Sequence, residues 1–305
     1  MSKLLLRRIL EAIPTILVII TLTFFLLRLA PGGPFADERD IPAQAQARME
    51  AHYGMDQPLM VQYIRYLGNV LQGDLGPSFR YPTRTVNEII REHFPVSLEL
   101  GFLGLLTALF LGLLAGLGAA FYRGRWGDQI LLSLAMLGLC LPTFVLGPIL
   151  VYFFALQWGW FNVGGWDHWS DRILPAFVLG SFYAAYVARL ARNGLGEAMD
   201  MDFYRTALAK GLSRPAALWR HALKPGLLPT IAFLGPAAAG LLTGSFVVET
   251  VFNIPGLGQQ FIDAAFSRDF TLVTGLVILY ATLIIFFNFL VDVLQAVLDP
   301  KLREE

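Results

Sequence analysis

The chain offers little to nucleophilic, metal or nucleotide chemistry. Its lysines are Lys3, Lys210, Lys224 and Lys301, and none follows a glycine. A phosphate-cradling loop needs backbone N–H groups and an ammonium side by side, so this polypeptide does not hold ATP by that device. The histidines His52, His93, His168 and His221 are scattered, with no HExxH and no close pair. That leaves no ligand set for a metal. Cys140 lies within an apolar run, which excludes a disulfide framework and a Cys/His metal site and suits a small packing residue. No two carboxylates fall at mid-depth on adjacent turns, as an intramembrane aspartyl protease needs. Ser245 has no histidine or lysine within its own helix. Glu249 and Asp292 lie about a turn from the ends of apolar runs, where solvation or a salt bridge accounts for them. An acid at membrane depth is otherwise a functional position by default, so Glu249 is retained as a candidate for a transport path.

The chemistry that does stand out is a basic segment between two apolar runs. Asp202 to Pro229 reads DFYRTALAKGLSRPAALWRHALKPGLLP and carries Arg205, Lys210, Arg214, Arg220 and Lys224 against one acid, Asp202. Asp200 or Asp202 is expected to cap a first short helix that turns Phe203, Ala207 and Leu208 to one side. Gly211 supplies the break, because a residue without Cβ enters φ > 0 at a helix end. Ser213 is expected to cap a second helix with Pro215 in its first turn. Leu218, Trp219 and Leu223 then form an apolar stripe among Arg220, His221 and Lys224. Taken alone, this is a helix–break–helix that anionic headgroups could hold at a membrane surface.

The surrounding elements are apolar enough to sit in lipid. Hydrophobic residues make up 56%, charged residues 15%, and mean hydropathy is +0.58. Acidic and basic residues balance at 23 each, so net charge identifies no partner. Residues 1–30 form a first span that follows Lys3, Arg7 and Arg8. Its apolar run is too long for a cleaved signal peptide, and Leu29-Ala30-Pro31 makes a poor cleavage site. Residues 31–95 are too polar to span and read as an ordered extramembrane cap. It contains helices at Ala43–Tyr53, Leu59–Gln72 (Leu59, Tyr63, Tyr66, Leu67 and Val70 on one face, ending at Gly73) and Val86–His93. Residues 96–300 hold five further runs of spanning length, at about 96–121, 130–156, 173–190, 227–251 and 272–297, with an inner loop at 197–229. Residues 301–305 are a tail.

Gly112 and Gly116 form a GxxxG with Gly101, Gly104 and Gly118 nearby, while Pro142, Pro148, Pro236 and Gly240 interrupt later spans. Such residues either let helix backbones approach or loosen a pathway that must open. Arg123, Arg125, Arg192 and the basic segment, with Lys301 and Arg303, fall on one side of the membrane. Arg172 and Arg268 fall on the other. The positive-inside rule places both termini and the basic segment in the cytoplasm, and Trp158, Trp160, Trp166 and Trp169 at the outer interface.

Several stretches carry a resemblance that covers nearly the full length. They are LLRRILEAIPTILVIITLTFFLLRLAPG, LMVQYIRYLGNVLQGDLGPSF, FPVSLELG, FYRTALAKGL…RHALKPGLLP, LTGSFVVETVFNIPGLGQ and VDVLQAVLDPKLR. The chain resembles permeases of binding-protein-dependent ATP-binding-cassette (ABC) importers, in the peptide/nickel family. Its start and long outer loop look most like the B-type subunit of oligopeptide importers. The resemblance implies an all-α integral membrane protein with six transmembrane helices, a cytoplasmic coupling loop of the EAA type and an extracytoplasmic helical loop after the first span.

It also implies that Phe203, Tyr204, Arg205, Thr206, Ala207, Lys210, Gly211 and Leu212 couple to ATPase subunits. Arg205, Thr206 and Ala207 stand where the wider family has Glu-Ala-Ala, so a salt bridge from that glutamate is absent here. Ser245, Glu249, Pro255 and Gly256 would face the translocation path or the partner. The implied partners are a second homologous permease, two cytoplasmic ATP-binding subunits that hold ATP and Mg, an extracytoplasmic peptide-binding protein, the peptide and the lipid bilayer. No nucleic acid and no cofactor in this chain are implied. The setting is the bacterial inner membrane. Rival readings are the same machinery carrying dipeptides, glutathione-like peptides or nickel, and an intramembrane enzyme.

Overall fold

A computed structural model describes residues 2–29, 54–242 and 246–298. The expected helix Ala43–Tyr53, Ser245 and the tail 301–305 lie outside the described residues. The described residues are helical with one isolated bridge, Pro77 to Thr85. They comprise α1 (Ser2–Leu29), α2 (Leu59–Leu71), α3 (Val86–Phe121), α4 (Trp126–Cys140) and α5 (Thr143–Leu150, running into a π-helical turn Val151–Gln157). There follow α6 (Ile173–Asp200), α7 (Asp202–Ala209), α8 (Arg214–Gly226), α9 (Leu228–Leu242), α10 (Phe246–Val251), α11 (Leu257–Phe266) and α12 (Phe270–Leu298).

Among the described residues four helices are long and apolar enough to cross a membrane, and two bent pairs bring the number to six when each is one span. The bends have identifiable causes. α4 and α5 meet at 102°, because Leu141 is extended ahead of Pro142, which disfavours a helical residue before it. α8 and α9 meet at 50°, in a stretch bracketed by Pro225 and Pro229. The expected short helix at 86–93 and the span from Val96 are instead one helix, α3, that carries Pro95 within it. Its start is a capping box. Thr85 Oγ1 accepts from Glu88 N (3.2 Å), and Glu88 Oε2 accepts from Thr85 N (2.9 Å).

The chain divides into two compact units. One comprises residues 2–95 and 256–282. Within it α2 lies along the last turns of α1: Thr21 Oγ1 and Tyr63 Oη are 2.7 Å apart, and Arg28 Nε donates to Gln62 Oε1 at 2.9 Å. Phe24 packs against Tyr63 and Tyr66, although Leu59, expected on the same face, is exposed. Burial pushes the ionisation of the Tyr66 hydroxyl well above its usual range. Val86, Ile89, Leu257, Leu272 and Leu276 form the apolar centre of this unit. Asp269 caps α12 within it. Its carboxylate accepts from Leu272 N (3.0 Å), Thr271 Oγ1 (2.9 Å), Arg80 N (3.2 Å) and Ser78 Oγ.

The other unit holds residues 96–255 and 283–305. α6 is its axis, and glycines set how closely the neighbours approach. A Cβ on Gly112 would lie 2.6 Å from Val187 Cβ, and one on Gly116 2.7 Å from the Ala188 carbonyl. The GxxxG therefore packs α3 on α6. Gly138 of α4 abuts the Ser181 carbonyl, and Gly194 abuts the Gly226 carbonyl of α8, so three helices reach α6 through missing side chains, and Gly101 against Leu241 brings α3 and α9 together as well.

Candidate functional site

The basic segment folds as two short helices around a small core of its own. α7 is followed by Gly211 at φ +89°. Gly211 N donates to Leu208 O (2.9 Å) and Leu212 N to Ala207 O (3.2 Å). That pair of bonds is a Schellman end, which needs a left-handed residue at its centre. Tyr204 and Ala207 are buried against Ala198, Ala217, Leu218 and Ala222, with Met199, Leu208 and Leu212 at the margin. The opposite face is bare: Phe203, Arg205, Thr206, Lys210 and Gly211 are exposed.

Three details differ from the sequence expectation. Neither Asp200 nor Asp202 caps α7. Met201 holds the cap position, Asp200 ends α6 in an ion pair with Arg123 (2.8 Å), and Asp202 stands in the first turn 3.8 Å from Arg205. Phe203 and Trp219, both expected on apolar faces of the hairpin, are exposed. α8 is also not uniform, because Leu218–Ala222 forms a π turn. Ser213 does stand at the cap position of α8 with Pro215 behind it, though without a side-chain bond among the described contacts.

The four candidate path residues have different surroundings. Glu249 on α10 is fully buried and accepts a hydrogen bond from Ser97 Oγ at 2.9 Å, rather than standing at a solvated span end. Pro255 is exposed after a turn in which Asn253 takes φ +49°, and Gly256 is the buried cap residue of α11. Ser245 is outside the described residues.

A groove of about 530 Å³ opens at the break between α4 and α5, lined by Pro142, Thr143, Phe144, Phe182, Tyr183, Gly240 and Phe246. Gly240 makes room for the Tyr183 hydroxyl, which a Cβ there would strike. The sequence signals its proline and glycine; nothing in an apolar run signals Tyr183 or Phe182.

Three arginines read from sequence as orientation signals have specific partners. Arg192 holds Asp128 through Nε (3.1 Å) and Nη2 (2.7 Å), and Arg123 reaches Asp200 and the Gly196 carbonyl (2.9 Å). Arg172 pairs with Glu99 at 2.6 Å beneath Trp166 and Trp169. Their acids lie far away in sequence, so the pairing is invisible there. No cluster of metal-ligating side chains occurs among the described residues.

Comparison with known proteins gives two family matches. "Binding-protein-dependent transport system inner membrane component" covers residues 108–304, and its N-terminal companion family covers 1–101. The oligopeptide transport system permease proteins OppB of Haemophilus influenzae and Escherichia coli strain K12 are 46% and 45% identical to it, each over 99% of this chain and 100% of theirs. The dipeptide transport system permease protein DppB of Bacillus subtilis is 39% identical over 99% of this chain and 98% of its own. The crystal structure of an amino acid ABC transporter with histidines covers 69% of this chain at a TM-score of 0.55 and 19% identity, a likeness of fold.

Proposed function

This chain belongs to the family of binding-protein-dependent transport system inner membrane components, as an ABC importer permease of the OppB kind, and from that premise we propose that it forms half of a pathway for oligopeptides. It is a multi-pass membrane transport subunit rather than an enzyme. A second, related permease completes the pathway, two cytoplasmic ATPases supply the energy with their own ATP and Mg, and an extracytoplasmic binding protein delivers the peptide. Both termini and the α7–α8 hairpin lie in the cytoplasm of a bacterial inner membrane, the side its unbalanced basic residues favour.

The observation that carries the coupling role is the construction of α7. Its inner face is locked by the Tyr204–Ala207–Leu218 core and its end fixed by Gly211, while Phe203, Arg205, Thr206 and Lys210 face outward. A pre-ordered helix with one bare face can take a push from another subunit without first folding. Peptide passes along the groove at Pro142, Tyr183 and Gly240, and the exposed Pro255 after α10 faces the partner permease or the arriving substrate.

The test is reconstitution of the chain with its candidate partners in liposomes. Peptide-dependent ATP hydrolysis and uptake are expected, and an ATPase should co-purify. Absence of any ATPase in the purified complex, with peptide uptake intact after deletion of the chain, rejects the reading. The likeness to the dipeptide permease favours one alternative cargo, which competition between di- and pentapeptides in the same assay decides.

A further inference from the structure

Two ion pairs join the end of α6 to the turn that starts α4, and one of them, at Asp200, stands just before the coupling helix. Arg192 and Asp200 occupy the last turns of α6, the helix that leads through Met201 into α7. Their partners Asp128 and Arg123 lie in or beside the turn at 122–128. Asp128 is 5% exposed and accepts both Arg192 nitrogens together with Gly124 N (3.1 Å), which ties the turn's own backbone into the pair. The Arg123–Asp200 pair is half exposed and contributes correspondingly little by itself. Further along, Gly138 sits against the Ser181 carbonyl, so α4 and α6 touch again through backbone. Just beyond it, Pro142 breaks the span beside the groove.

Resting on the coupling role proposed above, we propose that the Asp128–Arg192 pair, assisted by Arg123–Asp200, is the tie that carries displacement of α7 through the end of α6 to α4 and the break at Pro142. These are positioning residues: they touch neither peptide nor ATPase in this scheme. A two-pronged guanidinium–carboxylate contact fixes orientation as well as distance, which a single apolar contact does not. Packed elements with discrete arrangements shift as bodies, so a rigid tie determines which of them move together. Without it the end of α6 can move while α4 stays.

The experiment compares Asp128→Asn, Arg192→Gln, the double variant D128N/R192Q and the charge-keeping Arg192→Lys in the complete complex in liposomes. Peptide taken up per ATP hydrolysed is measured alongside the amount of assembled complex. The double variant leaves no lone buried charge, so it reports on the tie even if a single variant fails to assemble. Uptake per ATP is expected to fall by about 2- to 30-fold in the neutral variants, the range over which single positions shift a coupling between sites. Arg192→Lys keeps the charge but loses the second prong, so its ratio should fall between wild type and the neutral variants. An unchanged ratio in D128N/R192Q overturns the proposal. So does a parallel loss of uptake, hydrolysis and assembly, which marks a purely structural contact. A wild-type complex that neither binds an ATPase nor takes up peptide rejects the importer reading itself, and the proposal falls with it.

Discussion

Gly211 has open space where a side chain would go, with no atom within 4 Å of a built Cβ. Variants there therefore test backbone conformation rather than packing. Its φ of +89° is costly for other residues, about 1–2 kcal/mol for an L side chain in the left-handed region. Asparagine tolerates that region better than a β-branched residue. Gly211→Val is expected to lower peptide uptake and peptide-stimulated ATP hydrolysis together while membrane insertion persists, and Gly211→Asn to keep more of both. Equal uptake by Gly211→Val and wild type would count against a fixed end to α7. Glu249 supports a second prediction of this kind. Ser97→Ala removes the hydroxyl that donates to buried Glu249, a loss of about 1 kcal/mol. A lowered melting temperature of the purified complex is the readout.

Among the elements, glycine-mediated crossings and helix caps carry the arrangement. Gly116→Ile must displace the Ala188 carbonyl or separate α3 from α6. Overpacking of this kind costs about 1–3 kcal/mol, occasionally more. Less monodisperse complex on gel filtration, with Gly116→Ala intermediate, is the expected result. Asp269→Ala removes the carboxylate that caps α12 and holds the 78–80 turn, so hydrogen exchange at Leu272 and Val273 should accelerate.

The sequence made the helices legible, because apolar runs of spanning length, Pro142 and Gly211 act locally. It also led us to expect a cap at Asp200 or Asp202. There the long-range pull of Arg123 wins: an ion pair across the 122–128 turn takes the side chain that would otherwise turn back on α7. The apolar hairpin stripe fails at Trp219 because Leu218 and Ala222, one turn apart, face the small core, and Trp219 stands about 100° round the helix from Leu218.

For the whole molecule, the strongest claim left to measure is orientation. Cys140 is exposed and must first be replaced. In that background Lys210→Cys should react with a membrane-impermeant maleimide only in inverted vesicles, and Asp167→Cys only in intact spheroplasts. The reverse pattern would invert the topology and remove α7 from the ATPase side. Why the groove at Pro142 escaped the sequence is also clear at this scale. Its walls come from five helices, and Phe182 and Tyr183 look like any other aromatic residues in an apolar span until α6 turns them toward Gly240.

The π turn in α8 has a consequence for how relatives are lined up. An i→i+5 turn takes in one residue more than an α turn, so Leu218–Ala222 can shed a residue and remain helical. A relative one residue shorter between Ala217 and Leu223 then keeps both flanks, the buried Ala217 on one side and the Gly226 crossing on the other, in the same places. A single gap in an alignment of this family belongs inside that turn, and setting it at Gly211 or Ser213 would misassign the residues from there to Leu218, the start of α8.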